Sequence, residues 1–236
     1  MMLGYLYLDS TLLLLIPGIV LALWAQTRVR SVFHQYSGIF SNNGWTAEMM
    51  ARRILDENGL HDVQVTGASG ILSDHYNPRR QVLRLSESVY GSSSLAALGV
   101  AAHEVGHALQ HRFGYAPMTL RSAIVPVASI GSYLAWPLLI FGMLMANQML
   151  ILWGVCAFGF AVLFQLVTLP VEFNASRRAL TLLEEGGYLT EMELPGARKV
   201  LNAAALTYLA ALLMGVLQLL RLLMLTGILG GRRRRY

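Results

Sequence analysis

Two histidines and a glutamate near the middle of the chain have types and a spacing suited to metal chemistry. In the stretch HEVGHALQH, His103 and His107 are four residues apart, and Glu104 directly follows the first. On a helix, residues four apart lie on one face, so both imidazoles can turn a ring nitrogen towards one ion. Glu104 is rotated by about 100° and can reach past the ion to a water molecule. Zinc lowers the pKa of a bound water towards about 7, and the neighbouring carboxylate can accept the proton.

The alternative is that these residues form a polar turn of a buried helix, since a pattern with three fixed positions also occurs by chance. Two histidines and a glutamate on an otherwise apolar helix are costly, however, unless something pairs them. We therefore favour zinc coordination by His103 and His107. The pattern is the helix signature of zinc metalloproteases, in which the glutamate is the general base.

His111 is a weaker candidate for the same ion. It follows His103 by eight residues, which is roughly 12 Å along a helix axis. An extended three-histidine motif would require a glycine and a histidine further along the helix, but positions 110 and 113 are Gln and Phe. We expect His111 to lie near the site without binding the metal.

A catalytic zinc site needs a third protein ligand and one open position. Glu172 stands out in LPVEFNASRRALTLL (169–183), because an apolar run ends there and polar sequence begins. It is also expected on the same side of the membrane as the His103 helix. The residues alone leave open an ion pair of Glu172 with Arg177 or Arg178.

The composition indicates that part of the chain is dissolved in lipid. Hydrophobic residues make up 55% of the 236 residues and charged residues only 13%, whereas soluble domains have roughly 25% charged residues. The single cysteine, Cys156, excludes an intramolecular disulfide framework and a cysteine-based zinc cluster.

Hydropathy and charge divide the chain into five segments. We expect the first to be a retained membrane anchor rather than a cleaved signal peptide, because its start has no basic residue. Each later apolar run is also about the length that crosses a bilayer. The segments are the anchor (1–26), a soluble-type segment with the His103 helix (27–122), a transmembrane hairpin (123–170), a charged segment with Glu172 (171–202), and an apolar helix with an arginine-rich tail (203–236).

The soluble-type segment predicts a small α+β cap. A helix is expected over 46–60, with Thr46 as its N-cap and Asn58-Gly59 as its stop. Apolar and polar residues alternate in DVQVTG and RQVLRLSESVY, on either side of the turn residues in DHYNPRR, and this alternation predicts strands. A second helix over 92–114 has a serine cap and ends at Gly114. The fold class is therefore a mainly α membrane protein, with about four transmembrane or membrane-associated helices and a small α+β cap.

Basic residues predict the orientation in the membrane. Of the 18 Lys and Arg residues, nine lie in 27–122 and four in 171–202, which places this side in the cytoplasm. The tail 232–235 would then lie outside, so either the last run, interrupted by Arg221, does not fully cross, or the tail is an exception. Arginine pairs beside apolar runs indicate lipid head groups, and we expect no nucleic-acid partner because no nucleic-acid-binding motif accompanies the charge.

Four stretches resemble, in order, the YugP-like membrane zinc metallopeptidases, a family related to the HtpX-type gluzincins. They are SDHYNPRRQVLRLS, AAHEVGHALQH, LPVEFNASRRAL and VLNAAALTYLAALLMGVLQLLRLL. The resemblance implies that the α+β cap is zincin-like and holds one Zn²⁺ per chain. It implies His103, His107 and Glu172 as ligands and Glu104 as the general base.

The chain departs from the related gluzincins at one position. They usually have an aspartate four residues after the ligand glutamate, where it orients the site. Here that residue is Ser176, and Asn174 lies two residues after Glu172. Both are candidates for this supporting role.

Substrate contacts are less clearly marked. Proteases of this type often bind a peptide as an extra strand along a sheet edge, and the strand with Val82, Arg84 and Leu85 is the candidate, although an ordinary sheet strand is equally compatible. Besides the zinc ion, a second electrophilic group should stabilise the oxyanion of the tetrahedral intermediate in peptide hydrolysis. Residues with suitable chemistry, which the sequence does not rank, are Arg177, His75 and Tyr208.

The sequence thus predicts a multi-pass zinc endopeptidase of the cell membrane. Its partners would be the lipid bilayer and a peptide or membrane-protein segment, cut at the cytoplasmic surface. The alternative is a zinc-stabilised membrane adaptor or scaffold without proteolytic activity. The presence of Glu104 favours the enzyme, because a structural zinc site needs no base.

Overall fold

A computed structural model describes residues 10–70 and 73–227. The arginine tail 232–235 and the first residues of the predicted anchor lie outside this range. A 3-10 turn (Ser10–Leu15) precedes the other elements, which are α1 (Ile16–Ser37), α2 (Ala47–Glu57), β1 (Gln64–Ala68), β2 (His75–Asn77), β3 (Val82–Ser86), α3 (Leu95–Arg112), α4 (Ala116–Leu144), α5 (Gln148–Glu185) and α6 (Leu194–Leu225).

Four of the described helical segments are long and apolar enough to cross a membrane. They are Thr11–Ser37, Ala116–Leu144, Gln148–Glu185 and Leu194–Leu225. Most of their apolar surface is exposed, which would be unfavourable in water but suits lipid. With the three-stranded sheet, they confirm the predicted class, a mainly α membrane protein with a small α+β part.

Contacts divide the chain into two units. Within the described residues, we call 10–24, 123–167 and 208–227 the membrane unit, and 25–70, 73–122 and 168–207 the site unit. Helix α5 continues through residue 170 without a break, and α6 begins at Leu194. The predicted segment boundaries near 170 and 202 therefore lie inside helices, because a change from lipid to water alters side-chain polarity but not backbone hydrogen bonding.

Small residues and a polar turn define the α4–α5 hairpin of the membrane unit. A Cβ on Gly154 would lie 2.7 Å from Cγ of Leu139, so the glycine lets the two helices approach closely. At the turn, Asn147 Oδ1 accepts hydrogen bonds from the backbone N–H groups of Met149 and Leu150, at 3.0 and 3.3 Å. This caps α5, where the first N–H groups have no partner within the helix.

The membrane unit also provides a polar partner for Arg221 on α6. Its Nε donates to Oγ1 of Thr11 over 3.1 Å. An arginine in an apolar helix is stabilised by such protein contacts. Pro17 is the second residue of α1 and follows the 3-10 turn Ser10–Leu15 closely, so the change of helix type falls beside a residue that cannot donate a helical hydrogen bond.

The sheet of the site unit has the strand order β1-β3-β2. Strand β3 pairs in parallel with β1 and antiparallel with β2. Its residues Leu83 and Leu85 are fully buried in a core shared with α2 and α3. Burying one such side chain contributes roughly 1.5–3 kcal/mol. The other largest fully buried apolar residues of this core are Met50, Ile54, Leu55, Leu98 and Leu183.

Helix α2 begins and ends close to the predicted positions. Thr46 occupies the N-cap position, but its side chain makes no capping hydrogen bond and its buried Oγ1 has no partner. Asn58 is the C-cap, and Gly59 has a φ of 71°, a conformation that glycine adopts without strain. Met49 is the exposed methionine of this helix, whereas Met50 is fully buried.

Helix α3 is the central element of the site unit. Ser94 Oγ accepts a hydrogen bond from the N–H of Ala97 at 3.2 Å, as expected of a serine N-cap. Gly114, with a φ of 60°, follows its end. A Cβ on Gly106 would lie only 2.8 Å from the backbone oxygen of Ala175 on α5. Glycine at this position therefore lets α5 approach α3 closely enough to share a site.

Candidate metal centre

Three potential metal ligands converge between α3 and α5. One ligand atom from each of His103, His107 and Glu172 lies within 4.8 Å of the others. Glu172 Oε2 lies 3.2 Å from His103 Nε2 and 3.5 Å from His107 Nε2. Glu172 is only 2% exposed, so folding has removed its carboxylate from water and placed it against two imidazoles.

This donor set fits zinc. Two imidazole nitrogens and a carboxylate oxygen are the ligands of many catalytic zinc sites, at about 2.0–2.2 Å from the ion. Tetrahedral geometry at such distances separates neighbouring ligand atoms by about 3.3 Å. The two measured separations, 3.2 and 3.5 Å, are close to this value. The ligand nitrogens of His103 and His107 lie within 4.8 Å of each other. The three donors therefore fit zinc, and a site with three protein ligands leaves a fourth position for water or substrate.

Both histidines have a polar partner on the ring nitrogen that faces away from Glu172. Ser176 Oγ lies 3.2 Å from His103 Nδ1, and Gln110 Oε1 lies 3.0 Å from His107 Nδ1. Such contacts fix the ring orientation and leave Nε2 for a metal. Ser176 is one of the two residues that the sequence offered for this supporting role. Nothing in the sequence indicated the same role for Gln110.

Arg121 is a second residue that the sequence analysis missed. Its Nη1 lies 3.2 Å from Glu172 Oε1, whereas the sequence had offered Arg177 or Arg178 as the ionic partner. Arg177 is exposed, and Arg178 Nε instead donates to Asn174 Oδ1 at 2.9 Å. Arg121 is 51 positions before Glu172, so no local spacing could have indicated the pair.

Glu104 is held beside the cluster by the edge of the sheet. Its Oε2 accepts a hydrogen bond from the backbone N–H of Tyr76 at 2.9 Å, and the residue is 8% exposed. The hydroxyl of Tyr76 lies 3.3 Å from Nδ1 of His111. His111 thus contacts the strand that holds Glu104, and the described contacts do not place it among the three converging ligands.

The electrostatic surroundings raise the pKa of His107 above its ordinary value of 6.5. Burial disfavours the charged ring, but a hydrogen bond with Glu172 and the negative charges of Glu104 and Glu172 outweigh it. A divalent cation would replace the proton in this role, because it supplies the positive charge that these carboxylates favour.

The predicted substrate strand does not lie at an edge of the sheet. Val82 and Arg84 pair with β1 on one side and with β2 on the other, and Leu85 pairs with β1. The expectation of a free edge at these residues is therefore wrong, because strand order depends on long-range pairing that alternation does not encode. Strand β2 is an edge strand of the described sheet.

The role of the remaining candidates stays a prediction. His75 is exposed, and its Nδ1 lies 2.8 Å from the backbone oxygen of Ser73. Tyr208 lies on α6, in the membrane unit. Asn174 contributes indirectly, since its Oδ1 accepts a hydrogen bond from Gln110 Nε2 at 2.9 Å.

Fold and site together define a membrane protein with a buried centre suited to a divalent metal. Comparison with known proteins shows to which protein family the chain belongs. Residues 11–227 match the model of the family described as "Putative neutral zinc metallopeptidase", and the chain belongs to this family. It is 49% identical over 212 residues to the "Putative membrane protease YugP" of Bacillus subtilis (strain 168), covering 90% of this chain and 94% of that protein. No solved structure matches the chain.

Proposed function

We propose that the protein is a multi-pass membrane endopeptidase of gluzincin type that uses one zinc ion per chain. In this proposal His103, His107 and Glu172 hold the metal and Glu104 is the general base. The observation that carries the proposal is the convergence of the three ligands next to a glutamate that is separately held in place. Membership of the zinc metallopeptidase family and similarity to a protein named as a membrane protease support it.

In this proposal Glu104 moves a proton between water and the leaving amine. A bound zinc ion would polarise the scissile carbonyl and acidify the attacking water. The backbone N–H of Tyr76 holds Oε2 of Glu104, which leaves Oε1 to accept the proton of that water. The same carboxyl then donates the proton to the amine as the peptide bond breaks. The low exposure of Glu104 and His107 limits competing bulk water and strengthens these electrostatic interactions.

We propose that the substrate peptide pairs with β2 rather than with β3. The N–H of Tyr76 reaches Glu104 on α3, so the backbone of this residue faces away from β3. Because Glu104 already occupies this N–H, an extended peptide at this edge would pair through other main-chain groups of β2 and would lie beside the proposed base. Main-chain pairing of this kind selects for an extended conformation more than for particular side chains, which suits cleavage of unfolded or membrane-protein segments.

The proposed topology places the site unit in the cytoplasm. Thirteen of the 18 Lys and Arg residues lie in the segments 27–122 and 171–202, and basic residues are retained on the cytoplasmic side. These segments include both ligand histidines and Glu172. We therefore expect cleavage at the cytoplasmic membrane surface.

The test is Glu104→Gln in the full-length protein, purified in detergent. Zinc content is measured by elemental analysis and proteolysis by cleavage of an unfolded protein. We expect the variant to keep its zinc and to lose at least a hundredfold in activity, the lower range for a missing general base. Glu87→Gln is the matched control, because Glu87 is an exposed carboxylate of the same unit.

Two results would contradict the proposal. A Glu104→Gln variant that cleaves as well as the unaltered protein would exclude Glu104 as the base. An unaltered protein that holds stoichiometric zinc but cleaves none of a broad panel of substrates would instead favour the membrane adaptor.

A further inference from the structure

Gln110 is a fully buried polar residue whose whole amide group is hydrogen-bonded. It lies on α3, three residues after His107, and is 0% exposed. Its Nε2 donates to the backbone oxygen of Val171 at 2.8 Å and to Oδ1 of Asn174 at 2.9 Å. Its Oε1 lies 3.0 Å from Nδ1 of His107. A buried amide without these partners would be costly.

The partners determine which way the amide faces. A backbone carbonyl can only accept, so the NH₂ group of Gln110 must face Val171. Asn174 Oδ1 also accepts from Arg178 Nε at 2.9 Å, and a guanidinium can only donate, which makes this Asn174 atom the oxygen. Two independent partners therefore turn the carbonyl oxygen of Gln110 towards His107.

This orientation determines the tautomer of His107. Because the Gln110 carbonyl oxygen can only accept a hydrogen bond, Nδ1 of the neutral His107 ring must carry the proton. Its Nε2 must then carry the lone pair. Nε2 is the atom that lies 3.5 Å from Glu172 Oε2. The ring nitrogen directed into the proposed centre is therefore the one able to bind a metal.

We propose that Gln110 is a positioning residue of the metal centre, which sets the tautomer of His107 and joins the two helices that carry the ligands. Its α5 partners, Val171 and Asn174, flank Glu172 in the sequence. One side chain thus couples the ring of one ligand to the backbone beside another. The inference rests on the proposed role of His107 and Glu172 as ligands.

The same contacts separate the roles of Ser176 and Asn174, which the sequence had offered as alternatives. Ser176 contacts His103 directly, whereas Asn174 acts on His107 through Gln110. Each histidine therefore has its own hydrogen-bonded partners, and each set includes a residue of α5, Ser176 for His103 and Asn174 for His107.

The test compares Gln110→Met with Gln110→Glu in the full-length protein. Methionine has a similar length but offers His107 no strong acceptor. We expect zinc affinity, measured by competition with a chelator, to fall by about tenfold to a hundredfold, the usual effect of losing such a partner. The visible absorption of the Co²⁺-substituted protein should change as well, because the ring is no longer held.

Gln110→Glu separates positioning from packing. A carboxylate still accepts from Nδ1 of His107, but it places an acceptor against the Val171 carbonyl and Asn174 Oδ1. We therefore expect zinc affinity within about threefold of the unaltered protein, together with a lower melting temperature of the metal-free form. Gln64→Met is the matched control, because Gln64 is an exposed glutamine of the same unit.

His107→Ala distinguishes failure of this inference from failure of the proposed centre. If that variant keeps full zinc affinity, the proposed ligand set is wrong. If His107→Ala loses zinc while Gln110→Met binds it as tightly as the unaltered protein, the positioning role of Gln110 is overturned. Equal losses of affinity in Gln110→Met and Gln110→Glu would also overturn it, since they would reflect packing alone.

Discussion

Arg121 and Glu172 form an ion pair at the candidate centre, with Nη1 of Arg121 3.2 Å from Oε1 of Glu172. The other carboxylate oxygen, Oε2, faces His103 and His107. The two oxygens of Glu172 therefore have different partners. The arginine holds the carboxylate in one orientation and directs a single oxygen towards a metal, and it offsets part of the cost of burying the charge.

Replacing Arg121 should weaken metal binding. Without its ionic partner, the Glu172 carboxylate can rotate, so we expect Arg121→Ala to lower zinc affinity by about tenfold to a hundredfold. Arg121→Lys keeps the charge without the planar guanidinium and should lose less. The measurement is chelator competition, with the exposed Arg177→Ala as control. Equal affinities for Arg121→Ala and the control would contradict the proposed role of the pair.

Replacing Ser176 by aspartate should strengthen metal binding. Ser176 Oγ lies 3.2 Å from Nδ1 of His103, and a carboxylate would accept a stronger, charge-assisted hydrogen bond from this nitrogen. We expect Ser176→Asp to raise zinc affinity several-fold and Ser176→Ala to lower it by about tenfold. The same chelator competition measures zinc affinity in the unaltered protein and the two variants. Weaker zinc binding by Ser176→Asp than by the unaltered protein would contradict a role as hydrogen-bond acceptor for His103.

A side chain at position 106 should force α3 and α5 apart. The Cβ of Gly106→Ala would lie 2.8 Å from the backbone oxygen of Ala175, which cannot rotate away. We expect a loss of about 1–3 kcal/mol in the free energy of unfolding, together with weaker zinc binding. Gly91→Ala is the control, because nothing lies within 4 Å of its Cβ. Normal stability and affinity in Gly106→Ala would contradict the close helix packing.

Zinc uptake should release a proton from His107. Its raised pKa means that the protonated ring stabilises the metal-free protein below pH 6.5, and that this stability is lost as the pH rises through the folded-state pKa. Zinc binds only the neutral ring. Between pH 6.5 and the folded-state pKa, zinc binding should therefore displace this proton.

Calorimetry in two buffers of different ionisation enthalpy measures that release. The number of protons released per zinc bound near pH 7 should fall as the pH rises further. Proton release that stays constant over this range would contradict the raised pKa of His107.

The local part of the site could be predicted from the sequence because helix geometry is local. The four-residue spacing of His103 and His107 places them on one face of any helix, and Ser94 and Gly114 mark the helix ends at short range. Apolar runs long enough to cross a bilayer predicted four spanning helices, and the described helices agree. Glu172 was singled out by the change from apolar to polar sequence, together with the family resemblance.

Only the tertiary structure could decide which distant residues meet. Arg121, Gln110 and Tyr76 reach their partners across 51, 61 and 28 positions of the chain. Such contacts depend on how closely helices pack and on the order of strands in the sheet, neither of which has a sequence period. The edge position of β2 shows this most clearly, because alternation predicted strands but not their neighbours. The sequence by itself determined the ligand-bearing helix and the membrane class, and the fold decided which side chains hold those ligands in place.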